Sequence, residues 1–403
     1  MVPHVYIHVP FCVRRCSYCD FSIAVRKHVP GSEYVHAVLR ELELLRSSPG
    51  WVNPGAQPRG PEASATPPAQ PPPRGPEATE LETLYLGGGT PSLLPALDLA
   101  RLLTSLFHAF GSTPSFDAVE VTLEANPEDV TPERVQAWRA AGINRVSLGA
   151  QSFDDRVLQW MHRSHDATRI GAAVGDLRAG GIDNISLDLI FALPADLRRD
   201  WGRDLDHALA LRPTHLSLYG LTVEPRTPLD RWISRGATQL PADDRYAEEY
   251  LLAHDKLSAV GYQFYEVSNA ARDGFRSRHN SAYWSGEPYL GLGPAAHSFD
   301  GRTRRWNLSA WEAYRRAITE GRSPIESEEV LTAEEQELER VYLALRTSDG
   351  LALSNFPTFQ LSGWVAEGWA VEEGGRVRCT PEGWLRLDGL VAKLFSTKGL
   401  SLP

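Results

Sequence analysis

Short β-branched, apolar runs alternate along the first half of the chain with amphipathic stretches of ten or more residues. Six runs read as strands: His4 to Val9, Thr83 to Leu86, Val119 to Leu123, Arg145 to Leu148, Ile185 to Leu189 and His215 to Tyr219. Helices are expected between them at about 32–46, 95–109, 132–141, 154–180 in two pieces, and 198–211. This βα repetition predicts parallel strands joined by helical crossovers. Six units are too few for a closed eight-stranded barrel. The expected fold class is therefore α/β, a partial (β/α)6 TIM-like barrel, with a flat doubly wound sheet as the alternative. Polar or glycine-rich residues at the C-terminal ends of successive strands favour the barrel: Cys12, Gly87 to Thr90, Glu124, Gln151 and Asp188. That rim is where barrel folds assemble sites.

After about residue 222 the rhythm changes to a helix at 243–259, a strand at Gln263 to Val267 and an irregular stretch with His and Trp. Helices near 309–319 and 332–346 follow, and Gly374-Gly375 between β-capable segments reads as a hairpin. Helices followed by a hairpin suggest a small C-terminal α+β, winged-helix-like domain. It is not notably basic, so a structural or substrate-covering role is expected rather than DNA binding. The expected division is a core over 1–225, an extension over 226–325 and a C-terminal domain over 326–403. Residues 49–79 interrupt the core with a proline-rich stretch in which Pro-Arg-Gly-Pro-Glu-Ala occurs at 58–63 and again at 73–78. Its composition cannot build a core, so it is expected to be a disordered insertion, with a docking site for a proline-recognising partner as the alternative.

Composition narrows the function classes. Of 403 residues, 42% are hydrophobic and 23% charged, as in ordinary globular proteins. A formal net charge of −10 argues against a sequence-independent grip on nucleic acid. No export signal is read at the N-terminus, and no apolar run approaches the roughly 18 residues of a spanning helix. A cytoplasmic protein with at most peripheral membrane contact is expected.

The chemistry begins at Cys12, Cys16 and Cys19, a C-x3-C-x2-C loop with the fourth cysteine, Cys379, far away in sequence. Three thiolates on a cubane leave one iron open to a non-protein ligand, whereas ordinary ferredoxin clusters take four Cys. A structural zinc site would want a fourth ligand at short spacing, and none is there. A disulfide network is disfavoured by the odd local count. Gly87-Gly88-Gly89-Thr90-Pro91 follows a strand and precedes a helix, where exposed amides can meet a ligand's charged groups.

The order of segments is more specific than any one of them. Tyr6-Ile7-His8-Val9-Pro10-Phe11-Cys12, the GGGTP turn, Glu124-Ala125-Asn126-Pro127, Gly149-Ala150-Gln151-Ser152-Phe153, Arg163, Asp188-Leu189-Ile190 and Leu218-Tyr219 resemble the HemN/HemW group of radical SAM proteins. The resemblance spans nearly the whole chain outside the proline-rich stretch. It implies a [4Fe–4S] cluster on Cys12, Cys16 and Cys19 whose open iron binds S-adenosylmethionine (SAM), chemistry carried by the cofactors. It further implies that Tyr6, Gly88, Gly89, Thr90, Glu124, Gln151, Arg163 and Asp188 contact SAM, and that Tyr18 sits beside the cluster. An electron donor for the cluster is implied as a partner.

The group holds two functions. Oxygen-independent coproporphyrinogen III oxidases decarboxylate two propionates, whereas HemW-type proteins look like heme chaperones that deliver heme to acceptor proteins, with membrane respiratory cytochromes among the candidates. The oxidases carry a further Cys two residues after the third ligand, where this chain has Phe21, and an arm before the first strand, which here begins within about five residues of Met1. Arg278-His279-Asn280-Ser281-Ala282-Tyr283-Trp284 resembles the H-N-x-x-Y-W signature of the chaperones. By that resemblance His279, Asn280, Tyr283 and Trp284 are heme candidates: an imidazole can ligate the iron and the aromatic rings can pack on the porphyrin. The alternative is that they bond a loop and fill core. His297 is a second ligand candidate. The expected function is a heme chaperone carrying a SAM-ligated cluster. The oxidase is the alternative, so whether the chain is an enzyme stays open.

Overall fold

The structure, a computed structural model, describes residues 3–47, 81–112, 118–353 and 361–396. The proline-rich segment lies outside the described residues. The chain opens with β1 (His4–Val9), followed by a short parallel pair, β2 (Phe11–Cys12) and β3 (Ala24–Val25). Helices then alternate with strands: α1 (Gly31–Ser47), β4 (Thr83–Gly88), α2 (Ala96–Ala109), β5 (Glu120–Ala125), α3 (Pro132–Ala141) and β6 (Arg145–Gln151). The pair α4 (Asp155–Trp160) and α5 (Ala167–Ala179) leads to β7 (Asn184–Phe191), α6 (Trp201–Ala210) and β8 (His215–Gly220).

Local chemistry sets these boundaries. Asp154, Asp166 and Asp200 cap α4, α5 and α6 by accepting backbone N–H groups of the first turn. Helix α3 starts on Thr131-Pro132 and stops at Gly142, whose φ of +105° suits the residue after a helix. The strands β1, β4, β5, β6, β7 and β8 lie side by side in that order, all parallel.

Alternation along these strands separates two environments. Val5, Ile7, Leu84, Leu86, Val121, Leu123, Val146, Leu148, Leu187 and Leu216 point outward and are buried under helix residues such as Leu102, Val135, Val174 and Leu205. Each such side chain contributes about 1.5–3 kcal/mol by leaving water. The other face is polar: His4, Tyr6, His8, Thr83, Tyr85, Glu120, Thr122, Glu124, Arg145, Ser147, Ser186, Asp188, His215, Ser217 and Tyr219. It faces the inside of a curved wall. Gly88 at the end of β4 and Gly220 at the end of β8 line one cavity although three strands separate them, as a curved wall brings about and a flat sheet with strands about 4.8 Å apart would not. The partial-barrel expectation is met by this parallel wall.

Beyond β8 come α7 (Pro228–Ser234), α8 (Asp243–Ala259), β9 (Gln263–Glu266) and β10 (Asn269–Ala271), the last pairing antiparallel with β8. The stretch expected to be irregular holds α9 (Arg278–Trp284), β11 (Tyr289–Leu292), β12 (His297–Phe299) and β13 (Thr303–Asn307). Strand β11 joins β1 in parallel, and β12, β13 and β14 (Ile325–Val330) extend the sheet antiparallel to twelve strands. Gly291 permits the close approach of β12, because a Cβ there would collide with the His297 carbonyl. Strand β14 is the outermost, with Glu326, Ser327, Glu328, Glu329 and Val330 all exposed.

After α10 (Trp311–Thr319), the C-terminal part holds α11 (Ala333–Arg346), β15 (Leu351–Ala352), α12 (Ser362–Ala366), β16 (Ala370–Glu373), β17 (Arg376–Cys379), α13 (Pro381–Trp384) and α14 (Leu387–Ser396). Its three strands form a separate sheet, ordered β15-β17-β16. Gly374 and Gly375, with φ of +59° and +73°, make the two-residue hairpin that the sequence predicts.

Candidate functional site

The C-terminal ends of the parallel strands and the cysteine loop enclose a cavity of about 760 Å³. Cys12, Cys16, Tyr18, Cys19, Gly88, Gly89, Thr90, Glu124, Gln151, Arg163 and Asp188 all line it. The four cysteines are unpaired. Thr90 Oγ1 donates to Cys12 Sγ at 3.3 Å, and Arg163 Nη1 donates to Cys16 Sγ at 3.5 Å. Burial pushes the Cys12 thiol up and the Cys19 thiol up to about 11, and a coordinated metal would hold both as thiolates.

Glycines make room beside the cysteines. At Gly88, with φ of +106°, a Cβ would fall 2.6 Å from the His8 ring, and at Gly89 one would fall 2.8 Å from the Phe11 carbonyl oxygen. The GGG turn therefore wraps the cysteine loop tightly and leaves its own backbone facing the cavity. Glu124 accepts from Tyr85 Oη at 2.9 Å and from the Gly88 N–H at 3.0 Å. Burial, with Asp188 beside it, pushes Glu124 up to about 7. Asp188 accepts from Ser147 Oγ at 2.9 Å and is likewise raised by burial.

Arg163 is held by Asn126 Oδ1 at 2.5 Å and the Gly149 carbonyl at 2.9 Å, and its Nε is buried without a partner. A guanidinium fixed on one side and unsatisfied on another, with two carboxylates across the cavity, fits a zwitterionic ligand such as the methionyl end of SAM. Three thiolates in one loop fit a cubane with one open iron, and Cys379, in the separate small sheet, is not part of the cavity. Asn126 and Ser147, which position Arg163 and Asp188, were not singled out as site residues in the sequence. For Asn126 the available signal was its place two residues beyond Glu124.

Other expected residues lie elsewhere. Tyr6 does not line the cavity; its hydroxyl lies 3.2 Å from His8 Nδ1 and its ring stacks on Tyr85. The H-N-x-x-Y-W segment is α9, at the opposite end of the wall, beside the first residues of β1, β4 and β5. Strands of six residues put it roughly 16 Å from the cysteine end. His279 is 1% exposed and both ring nitrogens are engaged: Nδ1 with Thr83 Oγ1 at 2.7 Å and Nε2 with Tyr283 Oη at 2.9 Å. As placed, it offers no open nitrogen to an iron. The Asn280 backbone N–H donates to Ser277 Oγ, the cap of α9. Trp284 faces a second cavity of about 610 Å³ between α9 and α11, with Arg346 stacked 4.8 Å over its ring. His297 is exposed on β12, stacked on Trp306 with ring centroids 5.8 Å apart, and burial and Arg304 hold its pKa below the ordinary histidine value.

Known proteins fit this geometry. The model of the Radical SAM superfamily matches residues 74–208. The heme chaperone HemW of Mycobacterium tuberculosis is 36% identical over 397 residues, covering 97% of this chain and 94% of that protein. HemW of Bacillus subtilis is 34% identical over 351 residues, covering 87% and 85%. Among solved structures, the coproporphyrinogen III oxidase HemN of Escherichia coli superposes with a TM-score of 0.75 at 20% identity, covering 97% of this chain and 89% of that one, which establishes the shared fold. Membership of the superfamily implies a [4Fe–4S] cluster and SAM, the two groups that the cysteine loop and the cavity suit. The extent and level of identity over nearly the full chain place it in the HemW family of radical SAM proteins.

Proposed function

We propose that this protein is a heme chaperone that carries a SAM-ligated [4Fe–4S] cluster on Cys12, Cys16 and Cys19, binds heme and passes it to acceptor proteins. The family relationship carries the reading, and one site observation supports the chaperone over the oxidase. Phe21, where the oxidases have a further Cys, is 58% exposed at the lip of the cavity and adds no thiol there. Among the described residues no helix is long and apolar enough to cross a membrane. Membrane respiratory cytochromes are among the candidate acceptors. The cluster would also need an electron donor.

The support for an iron ligand is stronger at His297 than at His279. An exposed imidazole with a depressed pKa stays neutral at physiological pH, and Trp306 beside it supplies an aromatic surface for a porphyrin. The test is titration of the anaerobically reconstituted protein with heme, together with an assay of coproporphyrinogen conversion with SAM and reductant. The expected result is saturable heme binding, a shifted Soret band in His297→Ala, and no conversion. Robust conversion, or heme affinity no better than a nonspecific control, overturns the chaperone reading. An unshifted band in His297→Ala overturns only the ligand assignment.

A further inference from the structure

A line of hydrogen bonds crosses the closed end of the wall, away from the cysteine cavity. It starts at Tyr283 Oη, which lies 2.9 Å from His279 Nε2. His279 Nδ1 lies 2.7 Å from Thr83 Oγ1, and the same hydroxyl lies 2.9 Å from His4 Nδ1. His4 Nε2 then meets the Glu287 carboxylate at 2.9 Å, and the Glu287 side chain is 47% exposed. The three middle groups are almost sealed, at 1%, 0% and 3% exposure for His279, Thr83 and His4. Water therefore meets this line only at its two ends, the half-exposed Glu287 side chain and the partly exposed Tyr283.

The polarity of the line follows from its donors and acceptors. An ionised carboxylate only accepts, so His4 donates from Nε2–H, and neutral His4 must accept at Nδ1. Thr83 has a single hydroxyl hydrogen, which goes to His4, so its oxygen accepts from His279 Nδ1–H. His279 then accepts at Nε2 from the Tyr283 hydroxyl. Every hydrogen points from Tyr283 toward Glu287.

We infer that Tyr283, His279, Thr83, His4 and Glu287 form a directed proton relay joining the Tyr283 hydroxyl to the Glu287 carboxylate through a sealed middle, so that the signature histidine is a proton carrier and not an iron ligand. One passage balances as follows. The Tyr283 O–H bond breaks as His279 Nε2–H forms, and His279 Nδ1–H breaks as a new Thr83 O–H forms. The original Thr83 O–H passes to His4 Nδ1, and His4 Nε2–H passes to Glu287, which releases the proton to water. The net change is a phenolate at Tyr283 and a proton released at Glu287; burial pushes the Tyr283 hydroxyl up, so at rest the proton stays on Tyr283 and reversal of the steps restores it there. No step leaves an imidazolium behind. That suits the surroundings, because burial, with His4 and Arg145 nearby, holds His279 down at about 3. The groups facing the relay from neighbouring strands are Tyr6 on β1, Tyr85 on β4, Glu120 on β5 and Arg145 on β6. The Glu120 carboxylate is occupied in accepting the backbone N–H groups of Arg278 and His279.

This inference needs no heme and is tested without it. In protein labelled with ¹⁵N-histidine at pH 8, long-range ¹H–¹⁵N correlations should show His279 protonated on Nδ1 and His4 on Nε2. Finding His279 protonated on Nε2 would overturn the polarity. The second measurement is hydroxyl exchange with solvent at Tyr283, with the Tyr85 hydroxyl, bonded to Glu124 outside the relay, as the internal reference. Glu287→Gln keeps an acceptor for His4 but cannot take its proton, and it alters only a half-exposed side chain. Exchange at Tyr283 should slow about tenfold, equivalent to about 1.4 kcal/mol in the barrier, with Tyr85 unchanged. Thr83→Val should slow it at least as much. If Tyr283 exchanges at the wild-type rate in Glu287→Gln, protons reach it by another path and the relay is excluded.

Discussion

Single residues divide here into those that hold a ligand and those that hold the holders. Cys12, Cys16 and Cys19 are proposed for the first kind, and Thr90, Arg163 and Asn126 link them to the strand ends. Iron content and visible absorption should collapse in Cys16→Ala and persist in Cys379→Ala, whose thiol is buried in the separate small sheet and pushed up to about 12. Glu41 shows the cost of a buried acid far from any ligand. It accepts from the Gly293 N–H, Asn307 Nδ2 and Tyr314 Oη, yet burial still pushes it up to about 7. The folded protein therefore holds a proton that the unfolded chain releases in the ordinary carboxylate range. Stability from this group is complete at low pH and is lost as pH rises through about 7. Urea midpoints measured from pH 5 to 8 should fall more steeply in wild type than in Glu41→Gln, by a difference of order 2 kcal/mol.

Elements were legible where two signals agreed. Each core strand was readable because apolar residues fill its outer face, and α3 to α6 because a capping Thr or Asp opens each of them; α3 and α8 match their expected ranges. Helix α9 was not readable because seven residues are too few to show a period, and its buried His279 reads as polar. For the same reason the direction of the His279 ring was hidden: spacing places a side chain on a face but does not say what its nitrogens meet. The β11 to β13 strands were missed because they are only three to five residues long, and β11 is held by pairing with β1 at the far end of the chain. Gly291→Ala should cost about 1–3 kcal/mol in denaturant midpoint analysis, because the new Cβ meets backbone that cannot rotate away. The hairpin glycines, in open space, should cost less on the same replacement, through their positive φ alone.

At the scale of the whole molecule, the wall inverts the usual arrangement of a small barrel, whose interior is packed with branched apolar side chains. Here the apolar layer lies between strands and helices, and the interior is left to titratable and hydroxyl groups. Stability and chemistry thus occupy opposite faces of the same strands, and the inner face can serve a cavity at one end and a relay at the other. The same sheet ends at β14, whose outer backbone groups have no partner strand among the described residues. An open ladder of this kind is a template on which a second molecule could add its own strand. Three glutamates within Ile325–Val330 fringe it, two of them drawn toward Arg304 and Arg305 of β13. A neighbouring copy approaching edge to edge would bring the same acids opposite its own, so the fringe keeps the ladder from propagating into aggregates. Replacing Glu326 and Glu328 by Thr should leave the iron content unchanged while light scattering shows stronger concentration-dependent self-association than the native sequence gives.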